Sequence, residues 1–223
     1  PGMNIHRNPR CGRNFEYYSE DPYTTGMFAC ATVQGVQSQK IVATVKHFCC
    51  NNREYARNWL SSEVDERTLR EIYLKPFELA TQAKPWTVMT SYNPVNGTWT
   101  SGHYDLTTTI LRDEWGYTGF VMSDWWCRTK LEEFDRYHGK INQGERDYIP
   151  CVEAQNDIYM CCKNSADFKN LNVYSSLVSG ELARGFAQRN AMNVCRFLMH
   201  STAMDRFLAM SEEGILAMFG KFE

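Results

Sequence analysis

The sequence predicts an α/β chain: the later strands of a partial (β/α)8, TIM-type barrel. Three observations carry that expectation. Short apolar segments recur at 3–5 (MNI), 41–48 (IVATVKHF), 86–93 (WTVMTSYN), 119–125 (GFVMSDW) and 156–160 (NDIYM). They are continuous runs rather than alternating ones, which suits strands of a parallel sheet buried on both faces. From the second segment onward their starts lie 33 to 45 residues apart with helical patterns between, the spacing of strand–helix–strand units. A whole barrel of this kind needs about 250 residues. Four convincing strands and a possible fifth can be counted in these 223 residues.

Each helix has its own signals. The first opens on Asp21-Pro22, a cap followed by a first-turn proline. The stretch SSEVDERTLREIYLKPFELATQAK places Leu69, Ile72, Tyr73, Phe77 and Ala80 on one face, and Pro76 should kink it. DLTTTILRDEWG ends on Gly116, a common helix stop. After Met160 the pattern reads as two helices joined near Ser179-Gly180. The polar segment 127–150 has no clear assignment. Residues 1–201 are expected to form the barrel domain, and 202–223 a tail or the start of a linker.

Composition narrows the function. A net charge of -2 and a pI near 6.3 offer no basic face to nucleic acid. No apolar run approaches the ~18 residues of a membrane span. The nine cysteines include no C-x-x-C, and the adjacent pairs Cys49-Cys50 and Cys161-Cys162 lack zinc-ligand spacing. His47, His103 and His138 bring no metal ligands together on one element either. Free thiols point to a reducing, cytoplasmic compartment. The opening PGMNIHRNP reads as the interior of a longer protein, whose earlier part could carry an export signal.

In a barrel, the C-terminal strand ends converge on one mouth. Here those ends are Lys46-His47, Ser91-Tyr92-Asn93 and Ser123-Asp124-Trp125. Each alone has a plain structural reading: Asp124 as a cap, His47 as a hydrogen-bonded core group, Lys46 as a solvated end. Together they offer a cation, an imidazole, a phenol, a carboxylate and an indole, a set suited to a polyol ring.

CGRNFEYYSEDPYTTG, VKHFCCNNREYAR, DERTLREIYLKPFE, MTSYNPVNG, LRDEWGYTGFVMSDWW and the tail SGELARGFAQRNAMNVCRFLMHS, in that order, resemble glycoside hydrolase family 3, the β-glucosidase, β-xylosidase and N-acetylglucosaminidase group. The match is good over roughly 1–126 and looser over 153–201. The resemblance implies a retaining hydrolase of terminal β-glycosides, with a β-glucoside as the default substrate and a β-xyloside or β-N-acetylglucosaminide as the other options. No cofactor or metal is implied. Asp124 matches the nucleophile, and Lys46 and His47 match the pair that binds the sugar hydroxyls. Arg13 and Arg57 match two positioning arginines. Among the substrate-binding positions, Met89 matches a wall residue, Tyr92 a tyrosine lying close to the nucleophile, and Trp125 the aromatic that borders the subsite. Nearby cations are expected to keep the pKa of Asp124 low.

The chain departs from the family pattern in places. The general acid/base usually lies on a later domain, so a barrel start and a C-terminal α/β sandwich are expected in the full-length protein. Glu212 and Glu213 are read as part of a short polar tail, not as that acid. Gln155 stands where a glycine is usual, Cys161-Cys162 replace Pro-Gly, and Trp126 replaces a small residue. Two other functions compete: a catalytically inactive carbohydrate-binding homologue, and a Schiff-base, aldolase-type barrel using Lys46.

Overall fold

The computed structural model describes residues 1–127, 129, 147–160, 171–211 and 214. Cys161, Cys162, Glu212, Glu213, His138 and most of the polar 127–150 segment lie outside the described residues. At the centre is a parallel sheet of β1 (Thr44–Phe48), β2 (Thr87–Thr90) and β5 (Phe120–Met122), in the order β1-β2-β5. Single parallel bridges extend it at both edges, Gly2 to Lys46 and Met122 to Ile158. The five apolar segments of the sequence therefore lie side by side in chain order, as expected. In register, Lys46 faces Met89 and Phe48 faces Thr90, so the ladder shifts at His47. Met89 in turn faces Met122.

The helices begin and end where their chemistry says they should. α1 (Pro22–Gln37) starts on Asp21, whose carboxylate accepts from the Thr24 N–H at 2.6 Å. α2 (Glu66–Thr68) is capped by Asp65 in the same way. It runs through a widened turn, Leu69–Tyr73, into α3 (Lys75–Thr81). In that turn the Leu74 N–H reaches the Leu69 carbonyl, one residue beyond α-helical spacing. The extra residue accommodates Pro76, which cannot donate a hydrogen bond. It also rotates the buried face. Leu69, Phe77 and Ala80 are buried as expected, but Leu74 takes the core position and Ile72 is exposed. A second widened helix, Asp105–Glu114, leads to Gly116 at φ 67.

A hairpin of β3 (Pro94–Val95) and β4 (Thr98–Trp99) turns on Asn96-Gly97, both at positive φ. α4 (Ile149–Glu153) follows the segment that is largely undescribed, and α5 (Val173–Ser179) ends on Gly180 in the left-handed region. α6 (Arg184–Met199) packs against α4 and β5. The start of the expected tail is α7 (Thr202–Leu208). The main core sits between the sheet and helices α1–α3, where the Phe48 ring meets Phe77 and Trp115 edge-on at 5.2 and 6.1 Å. Seven of the cysteines are free thiols in this structure, and no helix among the described residues is long and apolar enough to cross a membrane.

Candidate active site

The run into Asp124 begins at Gly119. A Cβ there would lie 2.7 Å from the Trp86 carbonyl oxygen and collide with the Tyr117 hydroxyl, so only glycine lets β5 start this close to β2. The strand then carries Asp124 to the C-terminal edge of the sheet, where it is 6% exposed. One carboxylate oxygen accepts from the Trp125 N–H at 2.7 Å. The other lies 3.6 Å from His47 Nε2, longer than a hydrogen bond. Tyr92 also donates to Asp124.

His47 is fixed from its backbone. Asn4 donates to its carbonyl at 2.9 Å and accepts from its N–H at 3.0 Å. Its other ring nitrogen lies 3.4 Å from the Tyr17 hydroxyl. Burial drives its pKa down to about 3, and the fields of Arg13 and Lys46 push the same way. The imidazole is therefore neutral at pH 7.

The cations around the mouth are engaged. Glu16 takes an ion pair from Lys46 Nζ at 2.9 Å and a second, short one from Arg13. Glu54 takes Arg57 at 2.7 Å, and the Arg57 guanidinium carbon lies over the Tyr92 ring, 4.2 Å from its centre. This corrects the expected acidity of Asp124. Its pKa is raised, because burial outweighs the Trp125 and Tyr92 hydrogen bonds and the fields of Arg13 and Arg57. The cations that should have lowered it are largely neutralised by two glutamates, and the histidine carries no charge. Tyr92, pushed to about 12 by burial and then by Asp124, stays a donor.

Met89 is half-buried beneath this edge, between Lys46 and Met122. Trp125 is 43% exposed, with the Trp126 ring 5.4 Å away, so the two indoles form an open wall. The structure thus brings Arg13, Lys46, His47, Arg57, Tyr92, Asp124 and Trp125 to one end of the sheet. Glu16, Glu54 and Asn4 were missed. The glutamates had a readable signal, lying three residues from Arg13 and Arg57 with the opposite charge. Among the described residues no group of three or more His, Cys, Asp or Glu could hold a metal ion.

Of the departures, Gln155 sits at φ 60 and Trp126 at φ 50, in the region that favours glycine. Gln155 holds its place by donating to Thr108 and accepting from Asn193.

The same architecture recurs in known proteins. A β-glucosidase of Ruminococcus albus is 46% identical over 213 residues, covering 95% of this chain and 22% of that protein. A β-glucosidase from Paenibacillus barengoltzii superposes with a TM-score of 0.80 at 48% identity, over 90% of this chain and 22% of that one. β-Glucosidase 3B of Thermotoga neapolitana in complex with glucose gives 0.80 at 38% identity, over 93% and 27%. The chain spans between a fifth and about a quarter of the length of these relatives. The model of the glycosyl hydrolase family 3 N-terminal domain matches residues 1–196. With the expected barrel-type α/β architecture borne out, the chain belongs to glycosyl hydrolase family 3 through that N-terminal domain.

Proposed function

We propose that this chain is the nucleophile-bearing part of a retaining β-glycosidase, acting by default on β-glucosides. The observation that carries the reading is the setting of Asp124. It is a buried carboxylate with two fixed donors, a neutral imidazole opposite and exposed indoles beside it. In the first step an Asp124 oxygen attacks the anomeric carbon as the bond to the leaving oxygen breaks, giving a glycosyl-enzyme. Water then releases the sugar. A raised pKa makes the carboxylate a better nucleophile, and the Trp125 N–H and Tyr92 hydroxyl hold its lone pairs in one orientation. Lys46, His47 and Arg13 are the donors for sugar hydroxyls, with Trp125 shaping the ring's place.

Retention also needs a proton donor about 5 Å from the nucleophile. Glu16 does not suit the task. Burial favours its protonated form, but hydrogen bonds from Arg13 and Lys46 outweigh burial and hold it ionised. The donor is assigned to a later domain of the full-length protein. The ion pair from Lys46 to Glu16 also argues against the Schiff-base reading, which requires a free amine.

A 2-deoxy-2-fluoro-β-glucoside with a dinitrophenyl leaving group tests this directly, because that leaving group needs no proton. One sugar mass should appear on the peptide containing Asp124 and be missing in Asp124→Asn. Reversible binding without that mass would favour the inactive carbohydrate-binding homologue.

A further inference from the structure

Two residues beyond His47, the chain carries adjacent buried thiols that the proposed glycosidase chemistry does not use. Cys49 is 0% and Cys50 6% exposed, and their sulfurs lie 3.7 Å apart. The backbone around them is tied down. The Cys49 carbonyl accepts from the Ser91 hydroxyl at 2.7 Å and from Asn93 at 3.3 Å, and the Cys50 carbonyl accepts from the Asn52 N–H at 3.0 Å and the Ser62 hydroxyl at 3.3 Å. Cys50 also lines a cavity of about 470 Å³ that it shares with Arg7, Asn52 and Tyr73, which gives a small reagent a way in.

The separation is informative. A disulfide would need the sulfurs to close to about 2.05 Å, and an oxidant to take two electrons. A soft centre with bonds of about 2.3 Å spans roughly 3.5 to 3.8 Å between its sulfurs, for angles from pyramidal to tetrahedral. The Cys50 thiol donates to the Cys49 sulfur across this gap, and the distance also fits the second case. A four-ligand zinc site is a poor match, since no third His, Cys, Asp or Glu among the described residues joins the pair. A trivalent metalloid needs only two thiols.

We propose that Cys49 and Cys50 form a preorganised dithiol that chelates trivalent arsenicals. With phenylarsine oxide, two S–H bonds and the As=O bond break, two As–S bonds form, and both protons leave with the oxygen as one water. Nothing is oxidised or reduced. Burial holds the Cys49 thiol well above its ordinary pKa. The proton balance of this reaction suits such a group, because each proton departs bound to oxygen and no free thiolate accumulates.

The test treats the folded 223-residue chain with phenylarsine oxide, washes it with excess 2-mercaptoethanol and quantifies arsenic on the tryptic peptide 47–53. That peptide contains Cys49 and Cys50 and no other cysteine. Closing the second bond within one site should raise retention about 10²–10⁴-fold over a single thiol. Wild type should therefore keep one adduct on that peptide, and Cys49→Ser and Cys50→Ser should each lose it. The exposed Cys195 should be stripped by the monothiol. Since the site is built in the folded state, the urea midpoint of wild type should rise on treatment. Retention unchanged in Cys50→Ser, no retained adduct in wild type, or a midpoint that stays put or falls would each overturn the proposal. None of these readouts depends on glycosidase activity.

Discussion

Two buried aspartates stand on neighbouring strand segments, and their surroundings separate a structural carboxylate from a reagent. The Asp157 side chain is fully enclosed, although its backbone is partly exposed. It accepts from Arg112 at 2.7 Å, the Val121 N–H at 2.8 Å and Asn193 at 2.9 Å, and Arg112 is itself only 6% exposed. Asp124, just beyond the C-terminal end of β5, touches the neutral Tyr92 and Trp125, faces the neutral His47, and feels Arg13 and Arg57 only from beyond that shell. Burial raises both pKa values, that of Asp157 to about 6 against the pull of Arg112. The difference lies in what is left behind if the charge is removed. At Asp157 three donors, Arg112, the Val121 N–H and Asn193, would compete for fewer acceptor sites, whereas at Asp124 the facing imidazole is already uncharged.

The largest expected effect breaks the first of these. Asp157→Asn keeps the shape but turns an amide N–H toward groups that are themselves donors, Arg112, the Val121 N–H and Asn193, which should cost about 1–3 kcal/mol of folding stability. Adding Arg112→Gln should restore a large part of it, read from urea midpoints. A single variant that unfolds no more easily than wild type would show that the pair is not the element holding α6, β5 and the Asp105–Glu114 helix together.

The pH dependence of the same pair comes next. An unfolded aspartate titrates near 4 and folded Asp157 near about 6. Between those values the folded state holds a proton that the unfolded state has lost, so stability should fall as pH rises from about 4 to about 6. The fall should be shallower in the double variant Arg112→Gln/Asp157→Asn. An equal slope in both proteins would contradict the burial account.

Asp124→Asn sharpens the comparison from the other side. Because no partner charge is stranded and burial already favours a neutral group there, the folding midpoint should move by less than about 1 kcal/mol, or rise. A loss near that of Asp157→Asn would mean that Asp124 is a structural ion-pair member after all.

How much of this was legible in the residues follows the same division. Strand ends announced themselves as apolar runs breaking into Lys46-His47, Tyr92 and Asp124, because a buried sheet needs apolar side chains along its length and tolerates polar ones only at its tips. The sign of the pKa shift at Asp124 was not legible. It depends first on the burial of Asp124, which outweighs the fields of Arg13 and Arg57, and the depth of a strand-end side chain is known only once the fold around it is. Ile72 was misplaced because a 3.6-residue period cannot foresee the extra residue of the turn ahead of Pro76. The Asn96-Gly97 hairpin went unread although that dipeptide is a strong turn signal.

The smallest effects concern the two bulky residues at glycine-like positions. A left-handed backbone costs an ordinary residue about 1–2 kcal/mol, and glycine gives back roughly 0.5–1 kcal/mol of that in unfolded-chain entropy. At Trp126 the side chain is 45% exposed, while its N–H holds the Met160 carbonyl at 2.8 Å whatever the side chain. Trp126→Gly and Trp126→Ala lose the same indole contacts, the one with Trp125 included, so the glycine variant should be the more stable of the two by about 0.5–1 kcal/mol. At Gln155 the same relief is outweighed, because glycine would leave the buried Thr108 hydroxyl and Asn193 amide each short of a partner, so Gln155→Gly should lose about 1 kcal/mol. Paired urea titrations read both. If Gln155→Gly is no less stable than wild type, backbone strain governs that site, and the hydrogen bonds of Gln155 do not compensate for its conformation.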